Sequence, residues 1–508
     1  MTRERLVPLI VAVALFMENM DANVIATSLP AIAKDLGTSP LTLKLAVTSY
    51  LLSLAVFIPA SGWIADRYGA RNVFRVAIAV FITGSMICAS APSLTVFIAG
   101  RVVEGIGGAM MSPVARLLLV RTVDKRSLVD AMAWLTVPSL MGPMLGPPLG
   151  GFITTYAAWQ LIFLINVPIG LIGILLVTRY IEDVRAEVLD PIDLPGLVLT
   201  GIAVGGLAFG LSIAGFDILP WPAVTALLTG GAVAALAYFM HAKRIATPAL
   251  DFSLMALPTF RASLIGGSIF RIGVGAMPFL LPLLMQLGFG LSPFQSGLVT
   301  FAGAIGALSM KAVASRIVNH FGFRPLLTVN AVISSGFIVA CAFFAPGVPF
   351  AVIFAVLIVG GFFRSLEFTC INSLAYAEVE PRRTSRATTL AAVAQQVALS
   401  TGVALGAFVV EFTLRSKGQT TIGADAFPPA FAIVGVLSAL AFIRSCCCRR
   451  MPARNCPAGS HRLFLAARSG RTSDLPAWTG PTPASGWVRL SWPPRQPLPM
   501  PSQARSAA

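Results

Sequence analysis

The sequence predicts an all-α polytopic membrane protein, and three observations carry that reading. Hydrophobic residues make up 56% of its 508 positions. Charged residues make up 11%, against about 25% in soluble globular chains, too few to cover a soluble fold of this length. Mean hydropathy is +0.82, and the apolar residues fall in runs of about 20, the length a helix needs to cross about 30 Å of hydrocarbon. Helices follow rather than a barrel, because barrel strands alternate apolar with polar residues and leave a weaker signal. Water-soluble enzymes, nucleic-acid-binding domains and secreted disulfide scaffolds are excluded.

Fourteen runs are long enough to span. They lie near residues 6–28, 43–63, 73–91, 94–115, 130–153, 160–180, 193–214, 221–241, 262–286, 295–314, 326–345, 348–372, 387–411 and 427–444. The first carries Glu18 and Asp21 and has no small-residue cleavage site before the second, so it reads as a span and not as a cleaved signal peptide. Orientation follows from lysine and arginine in the short loops. With the N-terminus inside, nineteen such residues collect on the inner side, and only Lys34, Lys44, Arg415 and Lys417 on the outer. Both termini are therefore expected in the cytoplasm.

The net charge of +16 is not a polyanion-binding signature. From Arg444 to the end there are ten arginines, no lysine and one acid, Asp474, so this segment holds nine of the sixteen surplus charges. The rest are spread over many loops, as membrane orientation requires. Residues 445–508 are rich in Pro, Arg, Ser and Gly, a disordered composition. An all-arginine tail is what a GC-rich frame yields when translated out of register, so a frameshifted extension is expected. Transcript sequencing that found an intact frame would refute it. Cys88, Cys341 and Cys370 are scattered in apolar runs, and no metal-ligand spacing is present.

The two halves repeat. Gly62-Trp63-Ile64-Ala65-Asp66-Arg67-Tyr68-Gly69-Ala70-Arg71 lies between runs two and three, and Ser315 to Arg324 between runs ten and eleven. Gly69 aligns with Gly322 and Arg71 with Arg324, while Asn319 and His320 replace Asp66 and Arg67. Such repeats build many secondary transporters, with the substrate site at their interface.

The first of these loops resembles the G-x-x-x-D-R-x-G-x-R signature of the major facilitator superfamily. Four further segments are similar to motifs of its fourteen-span drug:proton antiporters. They are Met20 to Pro30, Arg101-Val102-Val103-Glu104-Gly105 with Gly107, Gly142 to Gly151, and Phe163 to Gly170. The resemblance covers residues 1 to about 444. It implies a major facilitator fold of fourteen helices. A six-helix bundle would occupy residues 1–190, an inserted helix pair 191–245 and a second bundle 246–444. It implies proton-coupled export of small lipophilic or amphipathic compounds by alternating access, in the cytoplasmic (inner) membrane. The proton gradient would supply the energy, with no cofactor. The partners would be the lipid bilayer, protons and a small-molecule substrate, with no nucleic acid. In a Gram-negative cell a periplasmic adaptor and an outer-membrane channel would join them, and the chain is expected to be monomeric. A metabolite importer is the alternative, and a non-transporting sensor or scaffold the alternative of another class.

The candidate residues follow. Glu18 and Asp21 are three apart, on one face of a helix inside an apolar run. A carboxylate at membrane depth costs about 2.5–3.5 kcal/mol on insertion scales, so it should face a cavity or a partner. Desolvation disfavours its charged form, which suits it to take up and release a proton. Asp21 could instead only hydrogen-bond a neighbouring helix. Arg101 and Glu104 repeat the spacing in the fourth run. Arginine keeps its proton, so its task would be to tune a carboxylate. Glu104 stands where the family has glutamine, and either adds a second protonatable group or neutralises Arg101. The resemblance assigns Gly62, Asp66, Arg67, Gly69 and Arg71 to a cytoplasmic gate, with the glycines allowing close helix approach and a tight turn. It assigns Gly142, Pro143, Gly146, Pro147, Gly150 and Gly151 to an antiporter motif, although simple small-residue packing explains them equally. Arg364 and Glu367 share a face and are expected to form an ion pair. Arg271 has no local partner and would meet an anionic substrate or a distant carboxylate. No G-x-x-x-x-G-K-[ST] phosphate loop is present, which disfavours an ATP-driven pump.

Overall fold

The computed structural model describes residues 3–122, 128–183, 191–214, 219–245, 247–321, 326–419 and 421–441. Among them there is no strand, and helix lies in each of the fourteen predicted runs, the last of which extends beyond the described residues. We number these α1 (Arg3–Asp35), α2 (Lys44–Tyr68), α3 (Ala70–Ala89), α4 (Leu94–Thr122), α5 (Leu128–Tyr156), α6 (Leu161–Tyr180) and α7 (Leu194–Ile213). The series continues with α8 (Trp221–Ala242), α9 (Pro258–Gly288), α10 (Pro293–Phe321), α11 (Leu326–Phe343), α12 (Phe350–Ala375), α13 (Thr384–Ser416) and α14 (Pro428–Ala439). Twelve are long and apolar enough to cross a membrane. The other two are α5, of 29 residues with four internal prolines, and α14, of 12 residues. The basic tail lies outside the described residues.

Glycine decides which helices can approach closely. On α5, Gly142, Gly146 and Gly150 recur every four residues and so share a face. That face lies on α1: a Cβ at Gly142 would stand 2.8 Å from the Met20 nitrogen, and one at Gly146 3.0 Å from the Asn23 Cβ. On α4, Gly105 lies against Ser53 of α2 and Gly107 against Phe81 of α3. In the second half, Gly275 packs on Leu399 and Gly306 on Ile358, which seats α9 against α13 and α10 against α12.

The halves meet where α5 contacts α10 and where α2 contacts α13. Gly151 abuts Pro293, and Gly297 abuts Pro147. Two hydrogen bonds cross the same end: Gln286 Nε2 donates to the Thr27 carbonyl at 2.9 Å, and the Phe294 amide donates to Thr155 Oγ1 at 3.0 Å. These residues lie at the helix ends assigned by charge to the outer side. Helices α7 and α8 pack on each other through Gly206 and Gly231, and α7 also lies beside α2. Lys44, counted in sequence as an outer-loop charge, is the first residue of α2 and only 1% exposed.

Candidate functional site

In the first half the polar groups converge at mid-span. Arg101 of α4 is fully buried and serves two carboxylates with one nitrogen. Its Nη1 lies 2.7 Å from Asp21 Oδ2 of α1 and 2.5 Å from Glu104 Oε2, one turn along its own helix. Nε donates to the Ala46 carbonyl at 3.3 Å, and the guanidinium carbon sits 4.3 Å from the centroid of the Tyr50 ring. Asn166 of α6 donates to Asp21 Oδ1 at 2.9 Å and to Ser85 Oγ at 3.2 Å; Ser85 donates to Glu104 Oε1 at 2.5 Å. Five helices, α1 to α4 and α6, therefore share one closed, buried network. With both carboxylates ionised it carries one net negative charge, and a single proton makes it neutral.

Glu18 is not part of this network. It is half-buried, its Oε2 has no hydrogen-bond partner, and its Cγ approaches Gly108. Asn166 entered the sequence reading only as a motif position. Ser85 and Tyr50 were missed, since a serine or tyrosine in an apolar run is usually core.

At the α2–α3 turn, Gly69 has φ of 90° and a Cβ there would collide with the Asp183 carboxylate, so glycine is required twice over. Asp66 pairs with Arg121 of α4 at 2.5 Å, Arg71 donates to the Ile181 carbonyl at 3.3 Å, and Asn72 to Asp183 at 3.2 Å. The turn is thus tied to α4 and to the segment following α6, while Arg67 is exposed. The expectation for Gly62 is corrected: a Cβ there would meet nothing within 4 Å, so it permits no close approach. In the second copy, Gly322 and Arg324 and the Asn319 side chain lie outside the described residues. The His320 ring stands edge-on to Phe321.

In the second half the expected Arg364–Glu367 ion pair is absent. Glu367 instead accepts from Asn330 Nδ2 of α11 at 2.7 Å, because its side chain turns into the α11 interface. Arg364 is directed at α10, where its Nη2 would stand 3.2 Å from a Cβ on Gly303. Arg271 is 4% exposed and donates to Asn372 Oδ1 at 2.7 Å, with Phe368 5.5 Å below the guanidinium carbon and no partner for its Nε. Lys311 of α10, missed in the sequence, donates to Thr369 Oγ1 at 2.9 Å. Phe270 and Phe279 are core residues.

Two helical halves joined along a seam, with charged groups held inside apolar spans, define a membrane transporter. The sequence profile of the Major Facilitator Superfamily matches residues 11–277 and 263–461. The chain belongs to that superfamily. Over 424 residues it is 37% identical to a Salmonella typhimurium protein provisionally named multidrug resistance protein MdtD, covering 82% of this chain and 87% of that one. A protein of the same name from Salmonella paratyphi B is 36% identical over the same shares. Among solved structures, the D-xylose-proton symporter superposes at a TM-score of 0.62 with 16% identity, covering 87% of this chain and 96% of the other. The human organic anion transporter MFSD10 (TETRAN) does so at 0.58 with 14% identity, covering 88% and 100%. At such identities the likeness is one of fold. The chain is a multi-pass membrane transporter and not an enzyme.

Proposed function

We propose that the chain is a proton-coupled antiporter that exports small lipophilic or amphipathic compounds across the cytoplasmic membrane. The observation that carries this reading is the buried network in which one fixed cation serves two carboxylates. Adding one proton changes its charge from minus one to zero, and in a low-dielectric surround that step is large enough to bias one conformation over another. Efflux is supported by the names borne by the relatives at 36–37% identity. The chain would cross the membrane fourteen times with both termini in the cytoplasm. It would act as a monomer, without a cofactor, by rocking α1–α6 against α9–α14.

Proteoliposomes with an acidified lumen and an internal pH-sensitive dye test this. Addition of a substrate from a panel of dyes, biocides and antibiotics should release lumenal protons through the wild-type protein. It should release none through Asp21→Asn, which should still insert and fold. Normal release by that variant would remove Asp21 from the mechanism, and a flat wild-type response across the panel would overturn drug antiport.

A further inference from the structure

The intramembrane charges are divided unevenly between the halves. At least five residues inside the predicted run limits, the first half holds three acids, Glu18, Asp21 and Glu104, against Arg101. The second half has the reverse at that depth, Arg271 and Arg364 against Glu367, which is already engaged by Asn330, while Lys311 lies three residues inside its run limit. None of those three cations forms an ion pair with a carboxylate among the described residues.

Two of them bond to the same helix. Lys311 reaches Thr369 and Arg271 reaches Asn372, and these acceptors are three residues apart on α12, one face, with about 5–6 Å between Cβ atoms at such spacing. A hydroxyl and an amide carbonyl hold the cations in place but do not neutralise them. Arg271 keeps an unpartnered Nε while almost wholly buried. Lys311 is exposed in the fold three residues inside the predicted end of its run, so its ammonium can reach water or a ligand. Phe368, the residue before Thr369, lies under the arginine and packs edge-on against Phe270. An aromatic surface thus adjoins the Arg271 charge, and the Lys311 charge is bonded to Thr369, the next residue along α12.

The geometry points to an anion subsite formed by Arg271 and Lys311, with Phe368 receiving apolar surface, so that the exported compounds include amphipathic carboxylates or sulfonates. This rests on the reading of the chain as an exporter, but it concerns binding and needs no gradient. Arginine supplies a planar donor pair and lysine a point charge, which together fit a carboxylate or sulfonate attached to an apolar body.

The test is equilibrium binding to the purified full-length protein in neutral detergent, using dansylglycine and 1-naphthalenesulfonate, with dansylglycinamide as the uncharged match and ethidium as a cation. At least one anion should bind, and dansylglycinamide more weakly than dansylglycine. Arg271→Gln and Lys311→Gln should each weaken the anion about tenfold or more, the worth of one charge-assisted hydrogen bond, and leave ethidium unchanged. Arg271→Lys, which keeps the charge, should recover part of the loss and covers the case in which Arg271→Gln does not fold. Equal binding of acid and amide, undiminished anion binding in Lys311→Gln, or no binding of either anion would overturn the subsite. Anion binding without proton movement in proteoliposomes would instead sink the antiport reading and leave the subsite standing.

Discussion

Arg101 sits where removing a single group changes the most. Buried between Asp21 and Glu104, it is the one cation in their network, and taking it away leaves two desolvated carboxylates facing each other. Breaking a buried pair in this way costs about 3–5 kcal/mol. Arg101→Gln should therefore give a sharply reduced folded yield on size-exclusion of the solubilised protein. Adding Asp21→Asn and Glu104→Gln should restore yield but not transport; a wild-type yield for Arg101→Gln alone would show the network to be unimportant for stability. A second residue-scale device lies at the ends of α7 and α8. Asp193 caps α7 through the Gly196 amide and accepts from His241 of α8 at 2.7 Å and from the Ala249 amide at 3.1 Å. Burial pushes its carboxyl upward, yet those hydrogen bonds outweigh it and hold the group below the ordinary carboxylate range. A depressed folded value stabilises above the unfolded value near 4, and that stability is lost as pH falls through the folded one. The thermal midpoint of Asp193→Asn should thus lie below wild type from pH 6 to 8, and the gap should close below about pH 4. The charges themselves were legible in the sequence, because membrane depth makes each one expensive. Their pairings were not: Arg364 and Glu367 share a helix face, but α11 offers Glu367 an amide that no local pattern announces. Lys311 lies near the predicted end of its run, where a lysine reads as snorkelling to the interface. The helix in fact continues to Phe321.

At the scale of the element, α5 illustrates how far a motif can be read. Its glycines at 142, 146 and 150 let α1 approach, which is the packing explanation the sequence left level with the functional one, while Gly151 faces α10 on the other side. Gly150→Val drives side-chain atoms into the Val24 carbonyl and Thr27 and should cost about 1–3 kcal/mol by overpacking. Gly62→Ala has open space and replaces a helical glycine, so it should raise stability by up to about 1 kcal/mol. Thermal midpoints in one detergent would decide both, and a Gly62→Ala protein that melts lower would reveal a contact made in another conformation. Spans were legible because length and hydropathy suffice to find them. Their ends were not, since a helix need not stop at the hydrocarbon boundary: α1 runs on to Asp35 and α13 to Ser416, seven and five residues beyond the predicted limits of 28 and 411.

Over the whole molecule, the seam between halves is the feature on which the proposed alternating access would depend. Its hydrogen bonds, Gln286 to Thr27 and Phe294 to Thr155, lie at the ends assigned to the outer side. In a chain whose own cysteines are replaced by serine, Thr155→Cys with Phe294→Cys should form an oxidised cross-link that stops transport, and reduction should restore it. Undiminished transport by the cross-linked protein would mean that this seam never opens. The superfamily itself was legible from five ordered motifs. The seam was not, because it joins residues more than a hundred positions apart.

Under the proposed rocking of the halves, helix α5 would have one face in a permanent contact and the other in a temporary one, and the two faces should then leave different marks on genetic variation. Substitutions at Gly142, Gly146 or Gly150 strike contacts that persist throughout the working cycle, and should show as too little protein reaching the membrane. Substitutions at Gly151, or at Gly297 opposite, strike a contact made and broken on every turnover. They should leave protein abundance nearly normal and alter its speed.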